Sequence, residues 1–237
     1  MKILEGVSGF LPVDKPRGIA FSSVMKTVKR KFNLVKVGHG GSLDAYATGL
    51  FVIVVGDANR LAGELMGADR SYEGTMVLGR RTDTRDVFGA VEKECAAAAG
   101  EAEIDAALAS FKGDVFQTEP RMCTVRRDGA ATYDTADTGE HAPMLSHVYS
   151  LKRTGLEQMD GGFKRLCFAV SGTKNLTVRA LAGDIGEELG CGAALETLRR
   201  TRIGRMDLSA AIPFEMILET DPASFPSLVV PPAKALL

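Results

Sequence analysis

Leu50–Val55, LFVIVV, constrains this chain more than any other stretch. It is wholly apolar and mostly β-branched, too short to cross a bilayer, and bounded by glycines at 49 and 56. Those features describe a buried strand. Directly upstream lies VGHGGSLDAYATG, Val37–Gly49, a glycine-laced segment with a single carboxylate, Asp44. An ionised acid beside a core is costly unless something pairs with it or uses it. Asp44 is therefore the first candidate for chemistry.

Around that strand the pattern is mixed. Gly9–Lys15 reads as a short strand stopped by Pro16 and Gly18. Ser22 or Ser23 is positioned to cap a helix with Val24, Met25, Val28 and Phe32 on one face and Lys26, Lys29 and Arg30 elsewhere. Ala58, Leu61, Ala62 and Leu65 recur at helical spacing, and Tyr72 to Leu78 alternates as a strand. Ile104, Ala107, Leu108 and Phe111 mark a helix ended by Gly113, and Leu166, Phe168 and Val170 line one side of a strand. Val178, Leu181, Ala182, Ile185 and Leu189 form a helical stripe closed by Gly190. No regular βαβ alternation appears. The expected class is α+β, with a mixed, largely antiparallel central sheet and flanking helices. One domain over 1–237 is expected, with a polar excursion at about 117–147.

Composition excludes several functions. The four cysteines form no C-x-x-C, and none of the three histidines sits in an H-x-x-x-H or H-E-x-x-H frame, so no metal is expected. Glu5 and Asp14 interrupt any secretory apolar region, so a cytoplasmic protein without a membrane partner is expected. Net charge is only −1, yet it is segregated. Lys15, Arg17, Lys26, Lys29, Arg30, Lys31 and Lys36 lie in a run, Lys15 to Leu43, without an acid, and Arg199, Arg200, Arg202 and Arg205 cluster later. Either group reads equally as a solvated face or as an RNA phosphate contact.

Known catalytic patterns around Asp44 fail one by one. HGGS at 39–42 has no G-x-S-x-G elbow to serve, Gly38, Gly40 and Gly41 do not complete G-x-G-x-x-G, and no G-K-[ST] phosphate loop exists. A glycosidase needs two carboxylates, and Asp44 has no evident mate. What remains is one acid acting as nucleophile or electrostatic stabiliser. An Asp titrates near ~4 and needs no base to ionise it, only a partner such as Arg179 to keep it charged in a dry place.

The whole chain resembles the TruB family of tRNA pseudouridine synthases. The matching blocks are GFLPVDKPRG (9–18), VGHGGSLDAYATGLFVIVVGDANR (37–60), DRSYEGTMVLGRRTDTRDVFG (69–89), GAATYDTADTG (129–139) and VRALAGDIGEELGCGAALETLRR (178–200). The resemblance implies a cofactor-free conversion of uridine to pseudouridine, typically at position 55 in the tRNA T loop. It makes Asp44 the nucleophile, Tyr72 the ring stacked on the target base, and Arg179 the partner of the catalytic carboxylate. His39 matches a histidine that fills the space of the everted nucleotide, and Lys15 a lysine near the cleft. Gly41, Arg126, Arg127, Lys174, Arg199 and Arg200 complete the expected RNA-binding set, and the 117–147 excursion corresponds to an RNA-clasping insertion. The expected partner is the tRNA T arm, with no obligate protein partner and a monomeric chain.

Departures from the family pattern are equally visible. HTGxLDPxATG is here HGGSLDAYATG, with Gly40 in place of Thr and Ala45 in place of Pro. KGTYIR reads KNLTVR at 174–179, and the shortness of the stretch after Pro213 leads to the expectation that the PUA domain many relatives carry is absent. Singly, Tyr72 reads as a strand aromatic, His39 as a loop residue bonded to backbone, and Arg179 as a helix-surface cation; the match of blocks favours the functional reading. A synthase acting on another RNA, or an RNA chaperone without turnover, are the alternatives.

Overall fold

The computed structural model describes residues 6–118, 126–127, 130–131 and 143–232. Along the chain these form β1 (Gly9–Lys15), α1 (Phe21–Lys31), β2 (Val37–His39), β3 (Thr48–Val55), α2 (Ala62–Gly67), β4 (Arg70–Leu78), β5 (Arg80–Thr82) and β6 (Val91–Glu94). There follow α3 (Glu101–Ser110), β7 (Gly113–Gln117), β8 (Arg126–Arg127), β9 (Ala130–Ala131), β10 (Met144–Gln158), β11 (Lys164–Gly172) and α4 (Val178–Glu188). The chain then runs through β12 (Ala193–Ile203), β13 (Met206–Asp207), β14 (Ile212–Pro213) and α5 (Phe214–Glu219). It divides into two compact units, Met1–Arg70 with Arg199–Leu237, and Ser71–Leu198.

In the first unit β3 is the organising strand. β1 pairs antiparallel along it from Gly9↔Val55 to Lys15↔Gly49, β2 pairs antiparallel with its far end, and Arg199 and Arg200 of β12 pair parallel with Thr48 and Gly49. Successive side chains of a strand point to opposite faces, and here both faces are covered. Phe51, Ile53 and Val55 pack with Val24, Val28 and Phe32 of α1 and with Phe214, Ile217 and Phe225. Leu50, Val52 and Val54 pack with Phe10, Ala58, Leu65, Ile203 and Met206 on the other side. Double coverage is why the run is apolar without alternation.

Two local expectations change. α1 starts at Phe21 with Ala20 at its N-cap and no side-chain cap, so Ser22 and Ser23 lie inside the first turn. Burial of Val24 and Val28 supplies the fixing that a cap would have given, and Lys29, Arg30 and Lys31 complement the dipole at the far end. The helical spacing from Ala58 to Leu65 is split into a 3-10 turn, Gly56–Leu61, and α2. Asn59 donates its amide to the carbonyls of Val54 and Gly56, holding that tighter turn.

The second unit orders its strands β12–β4–β11–β10–β7, with β10 antiparallel to both β11 and β7. Leu166, Phe168 and Val170 of β11 are buried, with half-buried residues between them, as the alternation predicts. α4 buries Val178, Leu181, Ala182 and Ile185, and Gly190, at φ +71°, ends it. In α3 the Glu103 carboxylate accepts the Gly100 N–H at 2.7 Å, and Ile104, Ala107 and Leu108 face inward. Of the expected 117–147 excursion, Gln117 closes β7 and pairs with Met144 at the start of β10. Most of the stretch between lies outside the described residues.

Candidate active site

β2 ends at His39 and β3 begins at Thr48, so Asp44 rides a loop that leaves and re-enters the same strand pair. The loop is fastened along its length. Gly40 N–H donates to Val52 O at 3.0 Å, Gly18 N–H to Ala45 O at 2.8 Å and Ala47 N–H to Asp44 O at 3.1 Å. Gly41 N–H donates to His39 Nδ1 at 3.1 Å. Gly41 takes φ +125°, and a Cβ there would lie 2.6 Å from Arg70 Nη2, so both its conformation and its surroundings require glycine. The Asp44 side chain is half-buried.

Three buried cations lie beneath this loop. Lys15, 0% exposed, donates from Nζ to the carbonyls of Pro16 (2.8 Å), Ile19 (2.9 Å) and Ala45 (3.1 Å). Burial lowers its pKa to about 8; the charge of Asp44 raises it and that of Arg200 lowers it further, and burial dominates. Arg200, 1% exposed, donates to Leu50 O (Nε, 2.8 Å), Ser42 O (Nη1, 2.8 Å) and Gly41 O (Nη2, 3.2 Å). Arg70 donates to Gly40 O (3.4 Å), Met66 O (3.1 Å) and Ala68 O (3.1 Å). His39 sits edge-on to Phe21 and stacked beside Phe51, and burial followed by the Arg200 charge holds its pKa below the ordinary value. Around Asp44 the backbone thus presents carbonyls downward to fixed positive charge.

The remaining candidates fall in different places. Arg199 forms a bidentate pair with Asp14, at 3.0 and 2.7 Å. Arg200, expected at a phosphate-facing surface, is instead a core residue. In the second unit Tyr72 is buried on β4, and Lys174 is exposed in the turn before α4. Arg179, in the first turn of α4, is 5% exposed, buried where a helix-surface cation was one reading, and donates to Thr84 O at 3.0 Å. Thr84 Oγ1 in turn donates to Asp86 Oδ1 at 2.9 Å, and Phe88 N–H donates to the same oxygen at 3.0 Å. Arg126 and Arg127 form β8, opposite Ala131 and Ala130. Sequence reasoning passed over Arg70, Thr84 and Asp86, because charge and hydroxyls in DRSYEG and RRTDTRD look like solvated surface until burial is known.

The model of the TruB family pseudouridylate synthase N-terminal domain matches residues 29–176, and that of the tRNA pseudouridylate synthase B C-terminal domain matches residues 179–228. The chain belongs to the TruB family. As a TruB pseudouridine synthase it is an isomerase that converts uridine to pseudouridine in RNA. It is 38% identical over 217 residues to tRNA pseudouridine synthase B of Opitutus terrae, covering 89% of this chain and 87% of the relative. The protein of the same name from Stutzerimonas stutzeri is 35% identical over 216 residues, covering 91% of this chain and 70% of the relative. A chain in the crystal structure of the archaeal box H/ACA sRNP Nop10-Cbf5 complex superimposes with TM-score 0.69 at 23% identity, over 96% of the synthase. One in an H/ACA RNP bound to a substrate RNA containing 2′-deoxyuridine gives 0.64 at 24%, over 87%. The synthase spans 61% and 51% of those two chains. Its α+β fold, with a largely antiparallel sheet and flanking helices, is theirs. No described helix is long and apolar enough to cross a membrane.

Proposed function

We propose that the substrate uridine lies in the T loop of tRNA, at position 55, and that Asp44 is the nucleophile of the isomerisation. The observation that carries this reading is the fastening of the Asp44 loop: a half-buried carboxylate on a backbone held by buried cations and by β3 is preorganised for one task. The relatives named tRNA pseudouridine synthase B support tRNA as the substrate.

The reaction breaks the N1–C1′ bond of uridine, turns the uracil and closes a C5–C1′ bond, while a proton leaves C5 and one is gained at N1. No atom is added or lost. The base must leave the stack for this, which costs a few kcal/mol, about what RNA binding energy can supply. Asp44 attacks C1′ or C6, or holds the cationic sugar; Tyr72 offers a face for the base and handles the C5 proton, and Arg179 supplies a countercharge. His39 fills the place of the everted nucleotide. Lys15, Gly41, Arg126, Arg127, Lys174, Arg199 and the exposed side of α1 belong to the RNA-binding set, which gives affinity and not base choice. The synthase acts as a cytoplasmic monomer, with 1–237 as one catalytic domain, and needs neither cofactor nor partner protein.

Tritium release from C5-labelled uridine in an unmodified tRNA transcript tests this. Wild type is expected to turn over, and Asp44→Asn to bind the transcript without product. Binding without product in both proteins would replace the reading by an RNA chaperone, and product at a different nucleotide would move the substrate assignment.

A further inference from the structure

We infer that Arg200, backed by Arg70, is a positioning residue for Asp44: its guanidinium fixes the path of the loop carbonyls and thereby the placement of the carboxylate, while leaving RNA affinity alone. This rests on the reading of Asp44 as the reacting acid. Arg200 belongs to β12, which pairs with β3 at Arg200↔Gly49. Its Nε donates to Leu50 O within β3, and its two terminal nitrogens reach forward to Ser42 O and Gly41 O. One rigid planar group therefore sets the distance between a core strand and the residues just before Asp44. Arg70 repeats the device from the other side, joining Gly40 O to Met66 O and Ala68 O at the end of α2.

The energetics explain why arginine occupies the site. A guanidinium offers five donors in a fixed fork and stays charged when buried, whereas an ammonium is a point charge that cannot serve acceptors in divergent directions with the same geometry. Gly41 and Ser42 lie outside any helix or strand and Ser42 is exposed, so removing the donor would hand their carbonyls to water and release this part of the loop from β3. Without that donor the loop keeps its fastenings at Gly40 and Ala45 but loses the carbonyl ties at Gly41 and Ser42, the residues leading into Asp44. Misplacement of a reacting group by about 1 Å costs about 10²-fold in rate. Arg199, one residue earlier, points away to Asp14, so the arginine pair divides into one that faces the loop and one that does not.

The test compares wild type, Arg200→Lys, Arg200→Met and Asp44→Asn under single turnover with saturating tRNA transcript, together with transcript affinity and amide exchange across residues 40–45. Arg200→Lys is expected to slow the chemical step by about 10²-fold. Arg200→Met should be slower still, with affinity for the transcript unchanged and exchange of the loop amides faster in both. A loss confined to affinity would make Arg200 a phosphate ligand and overturn the inference; so would a wild-type rate, or a slowed rate with unaltered loop exchange. If Arg200→Lys does not fold, Arg70→Lys carries the same expectations and the same overturning results. Asp44→Asn separates the two levels. Should it keep the wild-type rate, the reading of Asp44 fails; should it be inactive while Arg200→Lys is normal, only the present inference fails.

Discussion

Leu65 occupies the space that a side chain at Gly40 would need. A Cβ built on Gly40 would collide with Leu65 Cδ2 and lie 2.7 Å from Leu65 Cγ. Leu65 is 2% exposed and belongs to the core beneath β3, alongside Leu50, Val52 and Val54. At this position of the loop, where the family pattern has Thr, the space a side chain would take is filled by Leu65 of α2. The glycine is thus a packing partner of the leucine and not a loosened turn, since Gly40 N–H still bonds Val52 O and Gly40 O still bonds Arg70.

Gly40→Thr is therefore expected to destabilise the fold by about 1–3 kcal/mol through overpacking, and Leu65→Ala by about 2–5 kcal/mol through a cavity. Combined, the two should cost less than their sum, because the threonine enters space the leucine vacates. Urea unfolding of the four proteins in the cycle measures the coupling. Strict additivity would mean that the two positions do not share that space.

The same packing shows what could be read from the sequence and what could not. β3 was legible because both its faces are buried, so every position must be apolar. β12 was not, although its Ala193, Leu195, Leu198 and Ile203 are core residues, because Arg199, Arg200 and Arg202 break the apolar pattern of its second half. A buried arginine and a solvated one are the same letter, and only the carbonyls of Gly41, Ser42 and Leu50 distinguish Arg200 from its neighbour. Asp44 was legible as a lone acid between glycines. Tyr72 was singled out by resemblance to a family, and Arg179, a candidate countercharge on general grounds, was tied to Asp44 only by the same resemblance, since nothing local marks a strand tyrosine or a helix arginine as special. The missing cap of α1 follows from the usual limit: tertiary burial of Val24 and Val28 can replace a local signal.

The exposed cations of α1 bear on RNA affinity separately from chemistry. Lys26, Lys29 and Arg30 are exposed on the face opposite Val24 and Val28. Replacing all three by Gln is expected to weaken tRNA binding and to reduce the slope of log K against log salt by about one for each phosphate no longer neutralised, with the single-turnover rate at saturating RNA intact. Arg199→Gln should change the slope less, because Asp14 already neutralises that guanidinium. Fluorescence anisotropy over a salt series reads both. An unchanged slope in the triple variant would make α1 a solvated face.

Lys15 predicts an unusual alkaline profile. Its pKa is about 8 in the fold against 10.5 in the unfolded chain, so between those values the unfolded chain binds more protons and stability rises with pH. Below about 8 both states are charged and the burial cost is present in full; above 10.5 both are neutral and it is gone. Measured as the difference in unfolding free energy between wild type and Lys15→Met, the curve should be flat at neutral pH and climb from pH 8 to 10.5. A falling curve would show that attraction to Asp44 outweighs burial.

His39 sets the corresponding limit on the acid side. Its Nδ1 accepts the Gly41 N–H, so the neutral ring carries its proton on Nε2, and a proton added at Nδ1 would face a donor. Burial and the charge of Arg200 both oppose that addition, which is why the pKa falls below the ordinary 6.5. As pH drops from 6.5 through the lowered folded value, the unfolded chain takes up the proton first, so stability decreases across that window and levels off beneath it. The loop loses its Gly41 tether in the same step. Turnover at saturating RNA should therefore fall with an apparent pKa below 6.5 that His39→Asn abolishes. Nitrogen-15 chemical shifts of the imidazole would show the Nε2–H tautomer at neutral pH; an Nδ1–H tautomer, or a titration at or above the ordinary value, would contradict the arrangement.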